Sequence, residues 1–349
     1  MSQILIGQTA GFSGVSAAGV KEITEGARLW IDAVNARGGV HGQKIELISL
    51  DDRFDPGVAA ANAKELVEQK NVLALFLNRG TPHSEAILPL LELHGVPLVA
   101  PSTGAMVLHQ PVRKYVFNVR APYQREAEKA VTHLRGLGIT RIAVVYADDS
   151  YGLDGLEGAS KGFYRAGFAP AVAVKADRLR PDCKAIVESL EKAGAQAVVW
   201  IASGTAIVEG IRTLRAVLPG LPVVTLSNNA SAGFVKGLGQ AGPGVMVTQV
   251  FPSERAMGYA IVREAAALAK EKKIELSPSN LEGFAAAKVL VEGLRRAGPG
   301  PTRAKLQAAL ESLQKFDLGG LEISYGPDDH TGIEFSDLSI IGSDGKFRR

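Results

Sequence analysis

Ten short runs of Val, Ile, Leu and Ala are spread along the chain up to Phe251, and most are apolar at consecutive rather than alternate positions. Consecutive apolarity marks strands covered on both faces, as in a parallel sheet packed between helices. The runs are Ile4–Thr9, Lys44–Asp51, Val72–Asn78, Pro97–Ser102, Val116–Arg120, Arg141–Ala147, Ala171–Asp177, Ala197–Ser203, Pro222–Ser227 and Val245–Phe251. Between them, Thr24–Ala36, Pro56–Gln69, Arg125–Leu137, Gly155–Ala166, Asp182–Ala193 and Thr205–Val217 place charges on one side of a helix and Leu, Val or Ala on the other. This alternation predicts a doubly wound α/β protein. Five β-α units precede Arg120 and about five follow it, which suggests two similar lobes, with no residue-level repeat visible.

After Phe251 the rhythm changes. Ala256–Lys270, Ser279–Ala297 and Pro301–Leu313 read as successive helices, and Leu321–Tyr325 and Phe335–Ile341 as strands around a polar turn. A length of 349 residues suits about two domains. No window approaches the roughly 18 uninterrupted apolar residues of a spanning helix. The 39 Lys+Arg and 36 Asp+Glu residues are interspersed, so no basic block marks a nucleic-acid surface. The single cysteine, Cys183, excludes an internal disulfide and a thiolate-rich metal site. No charged n-region and apolar h-region precede the first strand, so the protein is either intracellular or has lost a leader.

In open α/β sheets, ligands bind beyond the carboxyl ends of strands, where helix N-termini supply unpaired N–H groups. Those ends are polar here. Arg79-Gly80-Thr81-Pro82 follows one strand, with Thr81 suited to an N-cap and Pro82 to the first helical position. Ser102-Thr103-Gly104 follows another, and together the turns offer N–H and O–H donors without an acid, which suits a carboxylate. Two ordinary capping turns would read the same way. In the second half the corresponding turns are Asp148–Gly152, Ser203-Gly204-Thr205 and Ser227-Asn228-Asn229. Tyr151 offers an aromatic wall and a hydroxyl, or is a half-buried core tyrosine. Asp148 and Asp149 are more readily turn caps than catalytic carboxylates.

Enzyme motifs are missing. There is no phosphate-binding G-x-x-x-x-G-K-[ST] loop, Gly7–Gly14 lacks dinucleotide-loop spacing, and Gly14–Ala18 misses the nucleophile elbow at its last residue. The six histidines, His41, His83, His94, His109, His133 and His330, show no metal-ligand spacing. Surface or capping positions are expected for all but His83, which follows Gly80-Thr81-Pro82 toward the candidate pocket. Neither a metal nor a cofactor is expected.

The segments Ile6–Gly14, Gly26–Gly42, Asp51–Pro56, Gly95–Ser102, Asp148–Gly152 and Glu282–Ala287, taken in order, resemble the type I periplasmic ligand-binding proteins of the branched-chain amino-acid (Leu/Ile/Val-binding) class, which serve ABC importers. The resemblance covers essentially the whole chain. It implies two doubly wound parallel-sheet lobes joined by a three-segment hinge, residues 1–119 plus 250–326 and residues 120–249 plus 327–349, closing over ligand in a cleft between them. It implies that Gly80-Thr81 and Ser102-Thr103-Gly104 bind an amino acid's carboxylate and part of its ammonium, and that Tyr151 contacts the ligand from the second lobe. Arg79, Ser203, Gly204 and Asn228 complete the candidate set. One departure bears on the ligand: typical members carry an acid near the end of the strand matching Pro222–Ser227, where this chain has Ser227-Asn228-Asn229. An unpaired buried ammonium costs several kcal/mol, so Asn228 or another acid must receive it, or the ligand has none.

The function these readings imply is a solute receptor for a small carboxylate ligand, first a hydrophobic or branched-chain amino acid and second an aromatic or keto acid. Its expected partners are the ABC importer's membrane subunits, its expected location the periplasm, and its expected state a monomer. A ligand-sensing DNA-binding regulator would need roughly 50 to 60 residues of helix-turn-helix before the core, yet the first strand begins near Ile4. An α/β enzyme lacks its motifs.

Overall fold

The computed structural model describes residues 3–349. The first sheet and its helices are built from β1 (Gln3–Ala10), α1 (Ala17–Ala36), β2 (Lys44–Asp51), α2 (Pro56–Lys64), β3 (Ala74–Phe76), α3 (Thr81–His94), β4 (Leu98–Val99) and β5 (Val116–Phe117). The second follows with α4 (Tyr123–Gly136), β6 (Ile142–Ala147), α5 (Ser150–Ala166), β7 (Ala173–Ala176), α6 (Cys183–Lys192), β8 (Ala197–Ile201), α7 (Gly204–Val217), β9 (Val223–Thr225), α8 (Ala232–Leu238) and β10 (Met246–Gln249). Then come α9 (Ala260–Glu271), α10 (Pro278–Ala297), α11 (Arg303–Glu311), the short pair β11 (Phe316–Asp317) and β12 (Glu322–Ile323), and finally β13 (Asp337–Ile341) and β14 (Phe347–Arg348).

All ten apolar runs contain strands. The first sheet has the order β2-β1-β3-β4-β5, and its pairings are parallel. In the second, β7-β6-β8-β9-β10 repeat that order in parallel, β13 adds an antiparallel strand beside β10, and β14 pairs antiparallel with β13. In each sheet the strand order therefore reverses between its first and third strands, which sets a switch point suited to a ligand at their carboxyl ends. The chain forms two compact units: residues up to Ala121 with Phe251–Glu334, and Pro122–Val250 with Phe335–Arg349. Residues 327–334, assigned to the second lobe from sequence, pack with the first unit. The Asn118 N–H donates to His330 O, the Ile333 N–H donates to Val119 O, and a Cβ at Gly332 would lie 2.3 Å from Asn118 O.

Several helices differ from their sequence reading. The run Pro56–Gln69 is not one helix, because α2 passes into a π-helical turn over Glu65–Gln69. The helix read as Thr24–Ala36 starts earlier, at Ala17, and Ala256–Lys270 starts later, at Ala260. Helix α10 is buried on nearly every side from Ser279 to Val291, including the polar Asn280, Glu282 and Lys288. It lies backbone-to-backbone against α1: a Cβ at Gly283 would stand 1.7 Å from Ile23 O, and one at Gly26 would stand 1.9 Å from Asn280 O. A capping box between Ser277 and Asn280 fixes its start, and Asn280 Nδ2 donates to Glu22 O. Among the described residues no helix is long and apolar enough to cross a membrane.

Candidate functional site

In the first unit β3 and β4 end sooner than their apolar runs, at Phe76 and Val99, which are paired in register. The next residues, Leu77 and Ala100, both take left-handed backbone, with φ of 54° and 52°. Neither is a glycine, so each conformation costs roughly 1–2 kcal/mol. The strain turns both chains at the same level and sets the segments Asn78–Thr81 and Pro101–Gly104 side by side. The Ser102 N–H donates to Asn78 O, and Arg79 and Ser102 form an isolated parallel bridge. Strain kept at matched positions points to a site that needs this geometry.

These turns hold the first group of candidate residues. Gly80, not Thr81, is the N-cap of α3, so Thr81 is the first helical residue and Pro82 the second. The sequence favours a hydroxyl at the cap, but Gly80 has φ +101° and a Cβ there would lie 2.3 Å from His83 Nδ1, which only glycine tolerates. As first helical residue, Thr81 has an N–H without an intrahelical acceptor. The Thr81 and Thr103 hydroxyl oxygens are 2.7 Å apart, and both residues are buried. One proton bridges the pair, leaving one O–H to donate elsewhere. Arg79, 5% exposed, donates from Nη1 to Ser102 Oγ at 3.3 Å, and Ser102 Oγ donates to Glu282 Oε1 at 3.2 Å. The Ser102 proton is therefore directed at an acid and not at a ligand carboxylate. Gly104 follows in the buried stretch after Thr103.

In the second unit the structure gathers Tyr151, Ser203, Gly204 and Asn228. Tyr151, on the first turn of α5, is buried rather than half-buried and stacks edge-on with Tyr123 at 4.9 Å. Its hydroxyl donates to Asn228 Oδ1 at 2.9 Å. Asn228 Nδ2 donates to Ala202 O and to Ser203 Oγ, which fixes the orientation of the amide. Asn229 accepts the Gly204 N–H and donates to Ala202 O and Thr225 Oγ1. Both amides thus tie strand ends together. Asp149 caps α5 by accepting the Gly152 N–H; burial raises its carboxyl, with that N–H and Arg178 opposing the shift.

Two buried acids were not legible as part of the site. Glu126, fully buried on α4, accepts the Ser227 N–H and the Thr248 hydroxyl, holding the turn that carries Asn228. Glu282 stands in the sequence within a family-like segment; an acid beside the apolar run Gly283–Ala287 of α10 was its available signal. Asp52 is also buried, between the Phe54 N–H and the Thr9 hydroxyl, and its carboxyl rises to about 6 through burial, with Asp51 and Asp55 adding to the shift. The histidine reading needs correction at two positions. His109 and His330 are buried in the first unit, and burial together with the Arg120 guanidinium holds His109 down at about 4. His83 is buried beside Gly80 and packs on Phe54 at 4.6 Å.

Comparison with known proteins agrees with this architecture. Residues 3–344 match the family profile described as periplasmic binding protein. Leu/Ile/Val-binding protein homolog 3 from Brucella melitensis is 25% identical over 330 residues, covering 93% of this chain and 87% of the relative. Homolog 7 from Brucella abortus is 26% identical over 208 residues, 57% of this chain, and the chain spans about half that relative's length (52%). Among solved structures, an extracellular ligand-binding receptor from Verminephrobacter eiseniae superposes with a TM-score of 0.89 at 30% identity, covering 100% of both chains. The chain belongs to the type I periplasmic binding proteins, a family of solute-binding receptors.

Proposed function

We propose that this chain is the receptor of an ABC importer, working in the periplasm, and that it captures a hydrophobic or branched-chain amino acid by its carboxylate. The observation that carries the reading is the pair of strained strand ends, Leu77 and Ala100, which set Thr81 and Thr103 2.7 Å apart with one hydroxyl proton left to give. Beside that proton stands the helix N-terminus at Thr81, whose N–H groups and dipole favour an anion. The second unit contributes Tyr151, its ring and hydroxyl fixed by Tyr123 and Asn228. In this reading the ligand touches both units, and its differential affinity for a closed arrangement drives a population shift. Small-angle scattering with and without a saturating amino acid chosen by thermal shift is expected to show a smaller radius of gyration in the bound protein. An unchanged radius would argue against closure.

A further inference from the structure

We infer that Glu282 is the residue that receives the ligand's ammonium group, in place of the acid missing at Asn228; this rests on the amino-acid receptor reading above. Glu282 is 7% exposed. Among the described residues its carboxylate takes one hydrogen bond, from Ser102 Oγ, and no ion pair. A carboxylate this buried is costly unless a cation and further donors meet it. Other buried acids at the strand ends are already occupied: Glu126 by Ser227 and Thr248, Asp149 by Gly152 and Arg178, and Asp52 by Phe54 and Thr9. Asp148 is more than half exposed and lies 3.2 Å from Lys175.

The position of Glu282 is set by backbone contacts that leave it little freedom. The next residue, Gly283, touches the α1 backbone at Ile23, and the capping box one turn earlier pins the start of α10. Its carboxylate thus stands against the Ser102 hydroxyl, one residue from Thr103. Ser102 Oγ accepts from Arg79 and gives its own proton to Glu282, so toward a ligand it presents only a lone pair. A group with several N–H donors matches the acceptors that Ser102 and Glu282 present, and an anionic group matches the donors at Thr81 and Thr103. An α-amino acid carries both on one carbon. Asn228, whose amide is engaged by Tyr151, Ala202 and Ser203, keeps a positioning role for the tyrosine.

The test uses ligand pairs that differ only in the amine: leucine against 4-methyl-2-oxopentanoate, and phenylalanine against phenylpyruvate, titrated calorimetrically into the full chain. The native protein is expected to favour at least one amino acid over its keto acid by about 10-fold or more. Glu282→Gln, nearly isosteric, is expected to weaken that amino acid by about 30-fold or more and to leave its keto acid within a few-fold. Glu282→Asp keeps the charge and is expected to retain part of the discrimination, which guards against a folding defect in the glutamine variant. If the native protein binds keto acids as well as amino acids, or if Glu282→Gln weakens both alike, the inference falls and the receptor reading stands. If neither class of carboxylate binds the native protein, the amino-acid reading falls and this inference with it.

Discussion

Gly283→Ala is expected to destabilise the first unit by about 3 kcal/mol or more, the upper end of overpacking costs, because the new methyl meets main chain rather than a side chain that could rotate away. Its Cβ would sit 1.7 Å from Ile23 O and 2.9 Å from Ala27 N, and the facing Gly26 is just as tight against Asn280. Relief requires α1 and α10 to separate, yet α10 is buried along most of its length. For a unit of this size the loss corresponds to a fall of roughly 6–12 °C in melting temperature. Gly136→Ala is the control, since a Cβ there meets nothing within 4 Å and the residue lies at the end of α4. It is expected to be neutral or slightly stabilising. Equal denaturation midpoints for Gly283→Ala and the native protein would show that the helices do not touch as described.

The second large effect falls on binding. Thr81→Val keeps the shape of the side chain but removes its hydroxyl, and with it the donor that the proposed site sets beside the helix N-terminus; the Thr103 O–H that remains has lost the 2.7 Å partner that orients it. Loss of a charge-assisted hydrogen bond is worth about 1.5–3 kcal/mol, a fall of roughly 10- to 150-fold in carboxylate affinity by calorimetry. Thr81→Ser restores a hydroxyl and should recover most of it. A native-like dissociation constant for the valine variant would place the carboxylate elsewhere.

The strands and their alternation with helices were readable because both sheets are covered on both faces, so runs such as Ile142–Ala147 and Ala197–Ile201 are apolar throughout and stand out from the amphipathic helices. Strand ends were misjudged where backbone conformation overrides composition. Leu77 and Ala100 continue the apolar pattern, and nothing about leucine or alanine announces a left-handed turn. The same limit hid the cap of α3, where a close approach to His83 selects Gly80 over a hydroxyl-bearing residue. The polar candidates themselves were visible, because Thr81, Thr103, Tyr151 and Asn228 follow strands directly. Their connections were not: that Asn228 fixes Tyr151, and that Ser102 points its proton at Glu282, depend on contacts 77 and 180 residues apart in the chain. Glu126 was read among the outward charges of its helix, and only tertiary packing shows it turned inward onto Ser227 and Thr248.

The central claim is that this receptor holds a carboxylate-bearing solute at the Thr81 and Thr103 turns. Mass spectrometry of the small molecules released when protein purified from its native host is denatured tests that claim most directly. A single small compound carrying a carboxylic acid is expected, in amounts approaching one per chain. Release of a sugar, nucleobase or other compound without an acid group, in comparable amounts, would contradict it.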